Sequence, residues 1–164
     1  MSIFGYRKDF NLFRGISREL LSEVVEQVVG YYKIGLESTT SNMYGESTNK
    51  SYNDPIKLNC RVERGDQQTS TNDFGQDVNR TAQFMFLKDD FKDAMLRAEI
   101  GDIILWQGDF YEVDNVKENQ LFFGKDDDYN EIEEYHSKYG ASVSIICEAH
   151  LTRRERLGIE EARF

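Results

Sequence analysis

One proline, two cysteines and two histidines in 164 residues are a short supply, and each scarcity excludes something. Cys60 and Cys147 do not make a disulfide framework, so a packed core must carry the fold and a reducing, cytoplasmic place of synthesis is expected. No apolar run approaches the roughly 18 residues of a membrane-spanning helix. The start, MSIFGYRKDFNLFRG, has no apolar signal core and no small-residue cleavage site, which argues against secretion. Basic residues are outnumbered: 20 Lys and Arg face 30 Asp and Glu, for a formal net charge of −10. The basic stripe of a nucleic-acid binder is missing. The densest basic run, Arg153, Arg154 and Arg156, is followed closely by Glu160 and Glu161. Tight DNA binding is therefore disfavoured, while a surface that lets DNA slide past without holding it fits.

What is present is apolar enough to fold: 39% hydrophobic and 13% aromatic residues exceed what an acidic disordered chain carries. The length fits one domain over 1–164, in which 1–35 reads as an arm and helix, 36–55 as a polar linker, 56–151 as the core and 152–164 as a tail. Residues 1–15, rich in Phe and Tyr, read either as an ordered arm or as a loosely packed terminus. Residues 17–34 read as a helix. Leu20, Val24, Val28 and Tyr32 recur at i+4, Ser17 can cap the start, and Gly35 stands just past the end. Its valines lower helix propensity, so the helix is expected to need a surface to pack on, either its own core or a neighbouring subunit. The segment 36–55 is polar and without pattern.

From Ile56 the period changes to two. Ile56, Leu58, Cys60 and Val62 alternate with polar residues, which predicts a half-buried strand. A polar stretch over 65–77 follows, then a strand from about Val78 to Leu87. The pair predicts a hairpin with an extended tip, in which Phe74 is the one large apolar residue. Residues 90–98 predict a short helix capped by Asp90. Three short strands are expected at 103–107, 110–116 and 120–124, the first two joined by a turn at Gly108-Asp109. An acidic loop over 125–140 precedes a last strand, 142–151, and the charged tail 152–164 is compatible with a helix. The fold class that follows is mainly β: a small antiparallel β-barrel or sandwich with an N-terminal helix, one short helix between strands and long polar loops. No βαβ alternation and no internal repeat is present.

The chemistry of catalysis is thin. His150 ends the last strand and His136 lies in the acidic loop. The chain has no nucleophile elbow, phosphate-cradling glycine loop, HExxH or CxxC. Both cysteines fall on inward strand faces and read as core. Asp126, Asp127, Asp128, Glu131, Glu133, Glu134 and His136 are the best metal candidates, but their spacing departs from the calcium-loop pattern and a solvated acidic loop is the favoured reading. Trp106 and Tyr111 could form a base-stacking platform, yet the sequence beside them supplies no Lys or Arg, so packing is the better account. Neither a cofactor, a metal nor an enzymatic activity is expected.

Three stretches, in order, carry a resemblance. They are SNMYGESTNKSYNDPIKLNCRVERGDQQTSTNDFGQDVNRTAQFMFL, GDIILWQGDFYEVDNV with QLFFGKD after it, and SVSIICEAHLTRRERLGI. Together they resemble the neck, or head-closure and head-to-tail connector, proteins of contractile-tailed, T4-like bacteriophages. The resemblance implies a structural virion protein, made in the host cytoplasm, whose small barrels join in a ring, commonly sixfold. The ring would close the DNA-filled head and offer a surface to the tail. The partners implied are further copies of the chain, the portal or its adaptor, the tail terminator or tail proteins, and double-stranded DNA passing without tight binding. Candidate subunit or partner contacts are Leu20, Val24, Val28, Tyr32, Phe74, Arg153 and Arg154. Asp126, Asp127 and Asp128 are candidates to face the channel. A tail terminator of the same junction, or a small barrel that binds a ligand or nucleic acid, are the alternatives.

Overall fold

The computed structural model of the protein describes residues 7–35, 40–41, 47–72, 75–118 and 143–154, with Leu157 and Ile159. Helix α1 (Arg7–Glu19) runs into a π-helical turn, Leu20–Val25, and then into β1 (Val28–Tyr32). Strands β2 (Thr40–Ser41) and β3 (Ser47–Asn49) pair with each other. A long hairpin, β4 (Ile56–Asn72) and β5 (Gly75–Leu87), leads to α2 (Lys88–Asp93). Strands β6 (Ile103–Trp106), β7 (Asp109–Lys117) and β8 (Ser144–Thr152) complete the described elements. Six strands close an antiparallel barrel in the order β1-β4-β5-β8-β7-β6, with β6 returning to β1 through Gly30↔Leu105 and Tyr31↔Ile104.

Alternation fills the barrel. Leu58 and Cys60, Ala82, Phe84 and Phe86, and Ile145, Cys147 and Ala149 all point inward, as period two requires. Phe91 of α2 enters one end, with edge-on ring contacts of 5.1 Å to both Tyr31 and Phe86. A second apolar layer lies outside the barrel: Tyr32, Ile103, Leu105 and Phe110 are covered by Leu157, with Tyr52 and Ile159 beside them. β6 is thus buried on both faces, which is why Ile103-Ile104-Leu105-Trp106 reads as an unbroken apolar run rather than an alternation.

The two ends of the barrel differ. One end holds α2, the turn before β6, and Glu118 and Val143, between which segment 119–142 is inserted. The other holds the β6–β7 turn, the end of β8 and the foot of the β4–β5 hairpin. β8 follows β5 only over Thr81–Leu87, whereas the hairpin pairs on from Gln67↔Arg80 to Asn72↔Gly75. That extension continues past the part of β5 paired with β8 as a two-stranded ribbon about 20 Å long. A register shift between Arg64 and Gln67 marks its foot. There Gly65 approaches β5 closely, and a Cβ on it would meet Thr81 Oγ1 at 2.3 Å and the Thr81 carbonyl at 3.1 Å.

Several expectations are corrected. The helix predicted at 17–34 starts earlier and ends at Val25, and Val28–Tyr32 is a strand. Glu26 turns into the left-handed region (φ 47°) and breaks the helix. The valines and Gly30 weaken a helix there, while a strand gains hydrogen-bonded partners on both edges and closes the barrel. Gly35 is not a helix cap; its N–H donates to the Ser51 carbonyl at 2.8 Å. The segment 36–55 contains the β2–β3 pair, and the polar stretch 65–77 continues the hairpin pairing. α2 spans 88–93 rather than 90–98, and Asp90 lies in its first turn without capping it. The β6–β7 turn is Gln107-Gly108, one residue earlier than expected; both have positive φ (52° and 86°), as a tight twisted hairpin needs. The strand expected at 120–124 lies outside the described residues.

Met95 ends α2 in the left-handed region (φ 53°), where the Leu96 N–H donates to Phe91 O and the Met95 N–H to Lys92 O. Glycine is the usual residue at such a cap. The Met95 side chain is 94% exposed, so removing it sacrifices little packing. Met95→Gly is expected to stabilise the protein by about 0.5–1 kcal/mol. A urea midpoint that falls would refute this.

Candidate functional site

The helical segment is attached in an unusual sense. Arg14 Nε and Nη2 donate to both carboxylate oxygens of Asp89 at 2.6 and 2.5 Å, and Arg18 Nη2 donates to Asp93 at 2.8 Å with Asp90 at 3.7 Å. Those acids raise the Arg18 pKa, the Asp93 hydrogen bond most. Leu21 adds one apolar anchor against Leu87 and Val143. The charged side of α1 therefore faces the barrel, and Leu12, Ile16, Leu20 and Val24, spaced four apart, face solvent. An amphipathic helix on a single chain normally does the opposite.

Of the sequence-predicted contacts, Leu20 and Val24 lie on this stripe, 52% and 73% exposed, and Val28 is exposed at the start of β1. Tyr32 is not available: it is 2% exposed, on the outer wall of the barrel under Leu157. Arg153 and Arg154 are exposed just after β8. Leu157 of the tail packs down on the barrel, with Ile159 beside it. Phe74, Asp126, Asp127 and Asp128 lie outside the described residues. Among the described residues no group of three or more His, Cys, Asp or Glu side chains is placed to hold a metal, and no helix is long and apolar enough to cross a membrane.

The one buried charged side chain among the described residues is Asp102, with 0% exposure. It accepts from the Tyr31 hydroxyl at 2.5 Å, Lys33 Nζ at 3.1 Å, the Ile34 N–H at 3.0 Å and the Glu99 N–H at 2.8 Å. Burial, followed by the Asp102 charge, pushes the Tyr31 phenol far up, so it stays a donor. Lys33 also binds Glu99 at 2.7 Å and holds that carboxyl below its ordinary range. Every oxygen of Asp102 is occupied by a structural donor, so the cluster is a staple between β1 and the turn into β6 rather than a proton-transfer site.

Cys60 and Cys147 are buried, and desolvation pushes both thiols up to about 12. At pH 8 both remain protonated and inaccessible. A disulfide reagent is expected to titrate neither thiol in the native protein and both in denaturant; rapid reaction of either in the native state would refute the core placement.

Sequence reasoning missed the ribbon end of the barrel. Trp106 and Tyr111 are buried there, with ring centroids 5.9 Å apart. Arg64 lies over the indole at 4.7 Å and donates to Gln107 Oε1 at 2.7 Å. Arg80 and Thr81 line the same pocket of about 340 Å³. The cations that the local sequence lacked come from β4 and β5. Trp106 and Tyr111 are nevertheless wall rather than platform, since Arg64 covers the indole face. On the outer wall nearby, His150 Nδ1 pairs with Asp114 at 2.8 Å, where the register shift in β7 after Val113 sets Asp114 out of the ladder. Glu148 gathers Lys117, Asn115 and Gln83.

Compared with known proteins, the chain matches no family model and no curated sequence.

Proposed function

We propose that the protein is a structural subunit of the neck of a contractile-tailed bacteriophage, docking through α1 into a ring that closes the filled head and receives the tail. The observation that carries this reading is the outward apolar stripe Leu12-Ile16-Leu20-Val24 on a helix whose charged side is already satisfied by Asp89 and Asp93. Such a face gains on the order of 1 kcal/mol or more per side chain when a neighbour covers it. The ordered resemblance of the three sequence stretches supports the reading. So do the small closed barrel, the long polar ribbon, and the net charge of −10, which keeps passing DNA from adhering. An adaptor ring would be expected to be mainly helical, which the barrel disfavours. A tail terminator would share the β-rich core and is separated by whether the protein copurifies with heads or with free tails.

The test is complementation. Infected-cell extracts without the protein are expected to accumulate DNA-filled heads and finished tails that do not join, and the purified protein to restore joining. Normal joining in its absence, or assembled necks with no central hole, would overturn the proposal. A binding module is the second reading, favoured by the arginine-flanked pocket at the ribbon end.

A further inference from the structure

We propose that this pocket is a receptor for an acidic peptide segment of another chain, with Arg64 and Arg80 as its anion-binding pair. The inference deepens the docking role proposed above and rests on it only for the setting in which two chains meet.

The pocket is built rather than incidental. The irregularity between Arg64 and Gln67, permitted by Gly65 against Thr81, re-aims β4 at the foot of the ribbon. Arg64 is held there by the Trp106 face and by Gln107, so its guanidinium is largely ordered before any ligand arrives. Arg80 enters from β5, and both guanidinium groups lie near enough to the Tyr111 phenol to act on its titration. Among the described side chains Asp109 is the one acid lining the pocket, against the two cations Arg64 and Arg80. The Thr81 hydroxyl and the Gln107 amide add polar groups at the rim. A planar carboxylate matches the guanidinium fork. The volume, about 340 Å³, is at the lower end for ligand pockets and suits a few side chains rather than a nucleic-acid duplex.

Nucleic acid is the poorer occupant. Arg64 occupies the indole face that a base would stack on. Glu63, Asp114 and Glu148 line the adjoining hollow beside Arg64, and a polyphosphate would pass close to them. A short peptide can place one or two carboxylates between the arginines and avoid those acids. The most acidic run of the chain, 126–134, falls in sequence between Glu118 and Val143, and those two flanking residues lie at the opposite end of the barrel. Copies meeting in a closing heterologous arrangement bring unlike ends together.

Trp106 is the only tryptophan, so its fluorescence reports on this pocket alone. The probe is a synthetic peptide of residues 125–136, KDDDYNEIEEYH, which contains no tryptophan. A saturable change in Trp106 emission is expected with the full-length protein, and none with the same peptide carrying Asn and Gln for Asp and Glu. Arg80→Gln should weaken binding about tenfold, and Arg64→Gln with Arg80→Gln should abolish it. Arg80→Gln alone leaves the Arg64–Trp106 stack in place, so a folding defect in the double variant does not blunt the test. Equal binding of the amide peptide, or undiminished binding by Arg80→Gln, overturns the inference. So does stronger competition from inorganic phosphate or a short DNA duplex than from the peptide. Ring formation is read separately by sedimentation: rings without peptide binding sink this inference alone, and peptide binding without rings sinks the neck role alone.

Discussion

Asp102→Ala is expected to cost about 3–5 kcal/mol of folding stability, the largest effect of any single substitution considered for this barrel. The carboxylate is fully buried and takes four donors, from the Tyr31 hydroxyl, the Lys33 ammonium and the Ile34 and Glu99 amides. Alanine would strand all four at once. The two amides belong to different segments, and Gly101, with φ +92°, holds the turn that brings Asp102 beneath β1. The Asp102 backbone carbonyl also accepts from the Val113 N–H at 2.9 Å, which ties the same turn to β7. Asp102→Asn keeps the shape but turns an amide donor toward other donors, and a smaller loss is expected. Tyr31→Phe removes one donor and leaves three partners for the carboxylate, so about 1–2 kcal/mol is expected. Urea unfolding of the three variants gives the ranking; a loss below about 1 kcal/mol for Asp102→Ala would show that the staple is not structural.

That staple was hidden in the sequence. Asp102 follows Gly101 at a turn, where an aspartate is ordinarily solvated, and nothing local marks it as buried. Its partners Tyr31 and Lys33 lie in the stretch that read as helix, so the misreading of β1 and the silence about Asp102 are one error. The i+4 spacing of Leu20, Val24, Val28 and Tyr32 is real, but its first two members lie on the π-helical turn and its last two on a strand. Periodicity cannot see the change when valines suit both states. Where apolar and polar residues alternated, as in the barrel portions of β4, β5 and β8, the strands were legible. The hairpin ran longer than expected because the sequence of its outer part is mostly polar and carries no period to read.

The proposed docking features divide along the same line. The stripe at Leu20 and Val24 was legible as amphipathic, but only the ion pairs from Arg14 and Arg18 to α2 determine that the apolar side faces outward. The ribbon-end pocket was not legible at all. Trp106 and Tyr111 meet across a tight turn, whereas Arg64 and Arg80 come from another hairpin, and closure of the barrel alone brings the four together.

Leu20→Glu combined with Val24→Glu should abolish self-association while leaving the barrel intact. Both side chains are largely exposed in the single chain, so two glutamates there cost little folding stability, and the melting temperature should stay within a few degrees of the parent. In a docked interface the same two positions would bury unpaired carboxylates in an apolar seam, and a loss of affinity of at least a hundredfold is expected. The dissociation constant from sedimentation velocity should rise as the rate of head-to-tail joining falls. The opposite dissociation, normal rings with an impaired melt, would mean that the stripe packs on its own chain. Arg18→Glu provides the converse: it turns the Asp93 pair into repulsion and loosens the helix from α2 without touching the stripe. Joining should then weaken in proportion to the helix's freedom and recover with Arg18→Lys, because the stripe can dock only while the charged side of α1 is fixed.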